Sequence, residues 1–437
     1  MLERFFGLKS RKKEVQPAIF FGRYSDNNKT IDKTRQWNHA EELFKEKKYA
    51  ESIESFFNYL RDDRVNNVIF EKTTEGFTFN IYQGTQIIKG YGGKDHLHAR
   101  VMLARMRTTL VPVMRRLLEY NFLLYYSRFS INNEDLVMQF DSEIATANPN
   151  KLYYALKELC VTADKQDDLL IQDFALLESL DSEHIIQIPE KEKEVKYHQL
   201  IQWTDECISR VKALDIEKFS GGISFLILSL IFRIDYLIAP EGNIMHELEK
   251  IQAIYFKKDN LSAIEKNRLM LSALEKFRSH TREEFMQSLV RTISTFSIRQ
   301  PKNYHVISDA IKAAIKNINW YKDNNQPEVA KQISEYAVSY CQYAYSLPEA
   351  ISEFFHVLMQ VNYPDYFIKL GFTEILFDLS SNRFKIDDIE DQIHTVEKQW
   401  RLKYPRLSFQ VSKLKYDNLL NFNVSFTNIL ADLDLET

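Results

Sequence analysis

The stretch of residues 125–176 constrains the fold more than any other part of this chain. It opens with two short apolar runs, 125–131 and 136–141, separated by the polar sequence Asn-Asn-Glu-Asp. Apolar runs on either side of a polar turn are typical of a β-hairpin. A break at Asn148-Pro149 follows, after which apolar residues recur at helical spacing: Leu152, Leu156, Leu159, Cys160 and Ala163. The stretch therefore predicts two strands and then a long amphipathic helix.

The residues upstream predict the remainder of a mixed domain. Apolar side chains spaced by three and four within residues 36–62 indicate two helices in a hairpin. Residues 68–73, 77–82 and 86–89 alternate between apolar and polar and are separated by X-Gly turns, which indicates antiparallel strands. Residues 97–103 alternate in the same way. Pro112 marks the first turn of a helix that runs to about residue 122.

This order of helix, strands, helix, two strands and helix resembles the type III secretion chaperone-like fold, which the YbjN-like family shares. The resemblance covers residues 36–180, and its most specific part is the Tyr-Ser-Arg-Phe strand at 126–129 with the turn, strand and helix that follow. The extra strand near Leu97 departs from the simple pattern. The resemblance implies a non-enzymatic domain that holds a partner polypeptide, and it also implies homodimerisation. Residues 36–62 resemble in addition a single tetratricopeptide unit.

The rest of the chain changes pattern twice. Pro189 and the charged run 190–196 mark a boundary, as a linker or a helix start, and residues 197–361 are typical of helices. The apolar run 219–232 is shorter than the roughly 18–20 residues that a membrane span needs, so it predicts a core helix. From Pro364 onward the pattern predicts strands at 374–379, 407–414 and 421–426 and a helix that opens near Asp387.

The predicted fold class is therefore α+β, in four parts. Residues 1–34 form an irregular leader, and residues 35–188 form a chaperone-like domain with an antiparallel sheet flanked by helices. Residues 197–361 form an all-helical domain, and residues 362–437 form a small β-α-β-β piece.

Composition narrows the class of function. The formal net charge of -4 gives no overall attraction to nucleic acid. Three widely spaced cysteines do not make a disulfide framework, which favours the cytoplasm. No transmembrane span is predicted. Residues 1–13 combine basic and a few apolar side chains, so contact with a membrane surface is an alternative to a solvated leader, which is favoured.

No motif in the sequence indicates catalysis, and we predict no cofactor or metal. The glycine-rich segment 90–94 lacks the phosphate-binding pattern because Asp95 follows its lysine. His96 and His98 would share one face of a strand, but a metal site needs further ligands, which the nearby sequence does not supply. An enzyme with an unrecognised site at the junction of the two major domains stays open as the alternative.

Positive charge concentrates between residues 94 and 116, where only Asp95 opposes it. Guanidinium groups suit carboxylate and phosphate partners and are enriched at protein interfaces. We therefore predict that a protein partner binds this basic patch together with two exposed aromatic side chains, with a merely solvated face as the alternative. The predicted partner-binding residues are Arg100, Arg105, Arg107, Arg115, Arg116, Tyr126 and Phe129.

Overall fold

The computed structural model describes residues 16–22, 29–62, 65–180 and 185–436 and shows an α+β protein, as predicted. The helices are α1 Ile31–Lys45, α2 Tyr49–Leu60, α3 Val111–Leu123, α4 Pro149–Asp173, α5 Glu190–Ala213, α6 Ser220–Arg233, α7 Gly242–Phe256, α8 Ala263–Arg278, α9 Arg282–Ser288, α10 Tyr304–Ile315, α11 Ile318–Asp323, α12 Pro327–Ala344, α13 Glu349–Asn362, α14 Pro364–Leu370, α15 Ile386–Trp400 and α16 Leu419–Ala431. The strands are β1 Val68–Thr73, β2 Gly76–Gly84, β3 Gln86–Gly92, β4 His96–Arg105, β5 Arg128–Asn132, β6 Asp135–Glu143, β7 Glu178–Ser179, β8 Ile186–Gln187, β9 Val290–Arg291, β10 Ile293–Ser294, β11 Phe377–Asp378 and β12 Arg383–Phe384.

An antiparallel sheet organises the N-terminal half in the order β1-β2-β3-β4-β6-β5. All six predicted strands are present, and the one near Leu97 is β4, in the middle of the sheet. Because side chains alternate along a strand, one face of the sheet is apolar, and α2 and α4 cover it. We call this the inner face. The opposite, outer face carries polar side chains.

Helix α4 closes the inner face and begins where the sequence predicted. The side chain of Asn148 accepts a hydrogen bond from the backbone N–H of Lys151, which caps the helix. The predicted apolar stripe is buried in the core of the sheet domain, from Leu152 to Ala163. The predicted hairpin of α1 and α2 packs beside it, where the Ser52 hydroxyl donates to the carbonyl of Ala40 at 2.7 Å.

The C-terminal half is a helical body with one hydrophobic core that runs from Ile188 to Leu433. The charged run 190–196 is a helix start, the first turns of α5. Capping boxes open two of its helices: Ser262 with Glu265 opens α8, and Thr281 with Glu284 opens α9.

The predicted core helix lies at the centre of this body. Together with the π-helical turn Ile234–Ile238 that continues it, α6 is the single helix in the described ranges that is long and apolar enough to cross a membrane. Buried residues make up 89% of its apolar window, because neighbouring helices surround it.

The prediction for the tail is wrong at two of its three strands. The strand predicted at 374–379 is present only as β11, which pairs with β12 in a hairpin of two residues per strand. Residues 407–414 are irregular apart from one short helical turn. Residues 421–426 belong to α16, which Asn418 caps. Phe422, Phe426 and Leu430 recur every four residues and are buried, so helical packing against the core outweighs the strand preference of the aromatic residues.

The predicted all-helical middle also needs a correction, because it contains β9 and β10. Strand β10 leaves the helical body and pairs with the end of β2, where Ile293 lies opposite Gly84. The next residues, Thr295 and Phe296, are buried, and Phe296 belongs to the core of the sheet domain. The two halves are therefore joined through one sheet and through the core that lies beneath it.

A histidine in the loop between α8 and α9 bonds two helices of the helical body. The His280 ring lies 2.7 Å from a carboxylate oxygen of Glu247 on α7 and 3.2 Å from one of Glu284 on α9. Burial disfavours the charged ring, but the hydrogen bonds to the two carboxylates outweigh burial and raise the pKa of His280 above its ordinary value of 6.5.

Truncating Phe296 should destabilise the protein strongly, because it empties a buried site between the two halves. We expect Phe296→Ala to lower the free energy of unfolding by about 3–5 kcal/mol. Urea denaturation followed by circular dichroism measures the change. Phe256→Ala is the control, since this ring is partly exposed; its expected cost is no more than about 1 kcal/mol. Equal costs for the two variants would contradict the role of Phe296.

Replacing His280 should cost more stability at low pH than at high pH. A raised folded-state pKa means that the stabilisation is complete below the unfolded value of 6.5 and is lost as pH rises through the folded value. We expect the stability difference between wild type and His280→Gln to be larger at about pH 6 than at about pH 9. Urea denaturation at both pH values tests this. His305→Gln, at an exposed histidine, is the control for the substitution itself.

Candidate protein-interaction surface

Helix α3 lies along the edge of the sheet beside β5, its last strand. Val113 and Leu117 anchor one face of the helix in the core of the sheet domain. The side-chain amide of Asn121 bonds both backbone groups of Phe129: it donates to the carbonyl at 3.0 Å and accepts from the N–H at 2.6 Å. The helix thus blocks part of an edge that would otherwise be free to pair with another strand.

The opposite face of α3 points away from the protein and is apolar. Its residues are Val111, Arg115, Leu118 and Phe122, spaced by four, three and four, and we call them the α3 stripe. The three apolar side chains are 59%, 67% and 90% exposed. Single exposed apolar residues are ordinary, but three on one helical face over about 16 Å make this face a candidate interaction site.

The loop after α3 extends this surface with exposed aromatic residues. Tyr125 is 90% exposed, and Tyr126 is exposed beside it. The carboxylate of Glu158 on α4 holds the loop: it accepts hydrogen bonds from the backbone N–H groups of Tyr125, Tyr126 and Ser127 and from the Ser127 hydroxyl, at 2.7–2.9 Å. The two tyrosines are therefore presented by an anchored backbone.

Three arginines of the predicted basic patch are neutralised by carboxylates that are distant in sequence. Arg105 pairs with Asp135, across from it on β6, at 2.8 Å. Arg107 makes two hydrogen bonds to Glu178, at 2.7 and 3.0 Å, and Arg116 pairs with Asp173 at the end of α4. The expectation that only Asp95 opposes this charge is wrong, because sheet pairing and the return of α4 bring in other carboxylates.

Arg100 and Arg115 remain exposed, and neither has an ion pair with any residue that the structure describes. Arg115 lies within the α3 stripe. Arg100 lies on the outer face of the sheet, opposite Lys89 on β3 and Gln139 on β6. The predicted patch is therefore divided between two surfaces, and one of these two arginines belongs to the apolar face of α3.

Phe129 is buried, contrary to the prediction that it is exposed. It is 4% exposed, pairs in register with Met138 on the inner face and contacts the ring of Tyr120 on α3. Alternation along β5 allows either Phe129 or Arg128 to face inward, and packing selects the aromatic ring. Tyr126, in contrast, is exposed as expected.

Leu118 and Phe122 were missed in the sequence, although a signal was present. The helix carries apolar residues on two faces, one through Val113 and Leu117 and the other through Leu118 and Phe122. A helix that is apolar on both sides is either buried all round or covered by a partner. The two apolar faces of α3 alone therefore predict an interface, and the clustering of arginines is not needed for that prediction.

The histidine pair of β4 does not form part of a metal site among the described residues. Across residues 16–22, 29–62, 65–180 and 185–436, no group of three or more histidine, cysteine or acidic side chains could hold a metal ion. His98 instead bonds Asp141 on the neighbouring strand at 2.6 Å. The alternative of membrane contact through residues 1–13 lies outside the described residues.

Comparison of the chain with protein-family models and with curated proteins found no match.

Weakening the Glu158 anchor should loosen the loop that presents the tyrosines. In Glu158→Gln one of the two accepting oxygens becomes an NH₂ donor. The remaining oxygen can still accept from Tyr126 and Ser127, so the backbone N–H of Tyr125, which bonds the other oxygen, loses its acceptor. We expect a stability loss of about 1 kcal/mol and faster amide hydrogen exchange at Tyr125. Exchange measured by mass spectrometry or NMR checks this. Glu119→Gln, at an exposed glutamate on α3, is the control and should leave both quantities unchanged. Unaltered exchange in Glu158→Gln would contradict the anchoring role.

Proposed function

We propose that the protein is a non-enzymatic protein-interaction module and that the α3 stripe binds a partner polypeptide. The observation that carries the proposal is the exposed apolar face of Val111, Leu118 and Phe122 on a helix whose other face is already packed. The resemblance of residues 36–180 to secretion chaperones supports the same class of function, since that fold is known for holding polypeptides.

The energetics favour a partner that covers more than the stripe. Burying one Val, Leu or Phe side chain contributes about 1.5–3 kcal/mol, so the three together supply about 5–9 kcal/mol. Association itself costs about 4–15 kcal/mol. Stable binding therefore needs the adjoining Leu123 and Tyr125, both exposed, or a carboxylate of the partner opposite Arg115.

An amphipathic helix is the partner element that fits this surface best. It would lay an apolar face along the stripe and place an acidic residue at the level of Arg115. Homodimerisation, which the resemblance implies, is the second form of the proposal. In an antiparallel pair of α3 helices, Arg115 of each copy would face Glu119 of the other, since the two residues flank the middle of the helix.

A cytoplasmic location belongs to the same proposal. Cys160, Cys207 and Cys341 are free thiols, and burial raises the pKa of each. Cys160 and Cys341 are buried and Cys207 is half-buried, and protonated thiols of this kind suit a protein without disulfides in a reducing compartment.

The enzyme alternative places its site at the junction of the two halves. There Gln83, Thr295 and Phe296 are buried and joined by hydrogen bonds, and this packing favours the binding proposal over a catalytic cleft at that junction. The membrane-adaptor alternative rests on residues 1–13 and has no support from the described part of the chain.

Photocrosslinking tests the proposal directly. Benzoylphenylalanine at position 122 should give one defined crosslinked product in native cells, either with a partner or with a second copy. The same probe at position 402, an exposed leucine on the helical body, should not give that product. Leu118→Glu should abolish the product without changing the thermal stability, because Leu118 is mostly exposed.

Affinity then decides whether the stripe supplies the binding energy. With the crosslinked partner purified, Leu118→Glu should raise Kd at least about thirtyfold, as expected for a hot-spot residue. For self-association, light scattering should show the shift from dimer to monomer. Crosslinked products that are identical at positions 122 and 402, or that are still formed in Leu118→Glu, would contradict the proposal.

A further inference from the structure

A cleft of about 310 Å³ lies on the helical body, where four chain segments distant in sequence meet. We call it the α5–α14 cleft and define it by Pro17, Ile19, Lys191, Glu192, Arg291 and Lys369. Its walls come from residues 17–19, the start of α5, strand β9 and the end of α14. The volume is at the small end of the range of ligand pockets, about 300–1,000 Å³.

The N-terminal wall of the cleft is held in place by hydrogen bonds. The Gln16 side chain donates to the Thr373 hydroxyl at 2.9 Å and accepts from the Thr373 backbone N–H at 3.1 Å. Gly22 at the other end of the segment donates its N–H to the carbonyl of Tyr236 at 2.8 Å. The apolar surface of Pro17 and Ile19 is thus fixed opposite the charged residues.

The base of the cleft holds more positive than negative charge. The Glu192 carboxylate lies 3.1 Å from the Lys196 ammonium and 4.0 Å from the Arg291 guanidinium. The side chains of Glu192 and Lys196 are 8% and 7% exposed, and that of Arg291 is 30% exposed. One buried cation and one partly exposed cation therefore share one carboxylate.

The charges around this triad add to the imbalance. Lys191 and Lys369 also line the cleft, and both are exposed. Of the described residues that line it, Glu192 is the single acidic one. Burial, with a smaller contribution from nearby Arg291, lowers the pKa of Lys196 despite the opposing effect of Glu192.

The Arg291 guanidinium is also oriented for recognition. Its central carbon lies 5.5 Å from the centre of the Phe20 ring, a cation–π contact that restricts the side chain. A guanidinium fixed by an aromatic ring presents a planar fork that matches carboxylate and phosphate oxygens.

We propose that the α5–α14 cleft binds a small organic anion, with its carboxylate or phosphate group on Arg291 and Lys369 and its apolar part against Pro17 and Ile19. The anion supplies the negative charge that the triad of Glu192, Lys196 and Arg291 lacks. This site is separate from the α3 stripe and does not depend on the protein-interaction function.

Binding of two simple probes to the full chain tests the proposal. Inorganic phosphate and butyrate, each titrated at constant ionic strength against sodium chloride, distinguish the two anionic groups. We expect saturable binding of at least one probe by calorimetry and a matching rise in Tm. Arg291→Gln and Lys369→Gln should each weaken that binding about tenfold, as expected for loss of a charge-assisted hydrogen bond.

Controls separate a site from a general salt effect. Lys258→Gln removes an exposed lysine elsewhere on the helical body and should bind the probe as wild type does. Lys369 is exposed, so its variant should fold even if the Arg291 variant does not. The proposal is overturned if neither probe binds saturably below about 10 mM. Equal binding by wild type and Lys369→Gln would also overturn it.

Discussion

The side-chain amide of Gln83 is the contact on which the arrangement of the two halves depends. Its oxygen accepts from the backbone N–H groups of Thr295 and Phe296, and its nitrogen donates to the carbonyl of Phe296. All three residues are buried, so each backbone group would be costly without this partner. The amide thereby extends the pairing of β10 with β2 and directs the Phe296 ring into the core of the sheet domain. A segment of the helical body is in this way part of the sheet domain.

The same use of a side-chain amide explains the exposed surface. Asn121 completes the hydrogen bonds of Phe129 at the end of the sheet, which fixes α3 beside β5. With Val113 and Leu117 facing the core, the geometry of the helix forces Leu118 and Phe122 outward. Polar residues at these two positions would serve the fold equally well. Their apolar character therefore points to a requirement outside the chain, and contact with another polypeptide would meet that requirement.

How far the sequence predicts this protein depends on the range of the interactions involved. Strands β1 to β6 and helix α4 follow from local alternation, turn residues and the Asn148 cap, and all were predicted. The strand predicted at 421–426 failed because Phe422 and Phe426 fit either period until the core that they fill is known. The basic patch was misjudged for a similar reason. Asp135, Glu178 and Asp173 reach the arginines only through long-range pairing, which a local count of charges does not detect.

Two arginines in the helical body differ in how far carboxylates of the same chain compensate their positive charge. Arg233 is buried, bonds Glu335 at 2.8 Å and Gln332 at 2.5 Å, and is covered by the rings of Trp203 and Tyr363. Its charge is compensated within the chain, so it stabilises the packing of α6 on α12. Arg291 differs, because its nearest carboxylate is 4.0 Å away and is also the partner of Lys196. A partly buried cation that shares its counter-charge is incompletely compensated, and a cleft open to solvent beside it allows an anion to provide further negative charge.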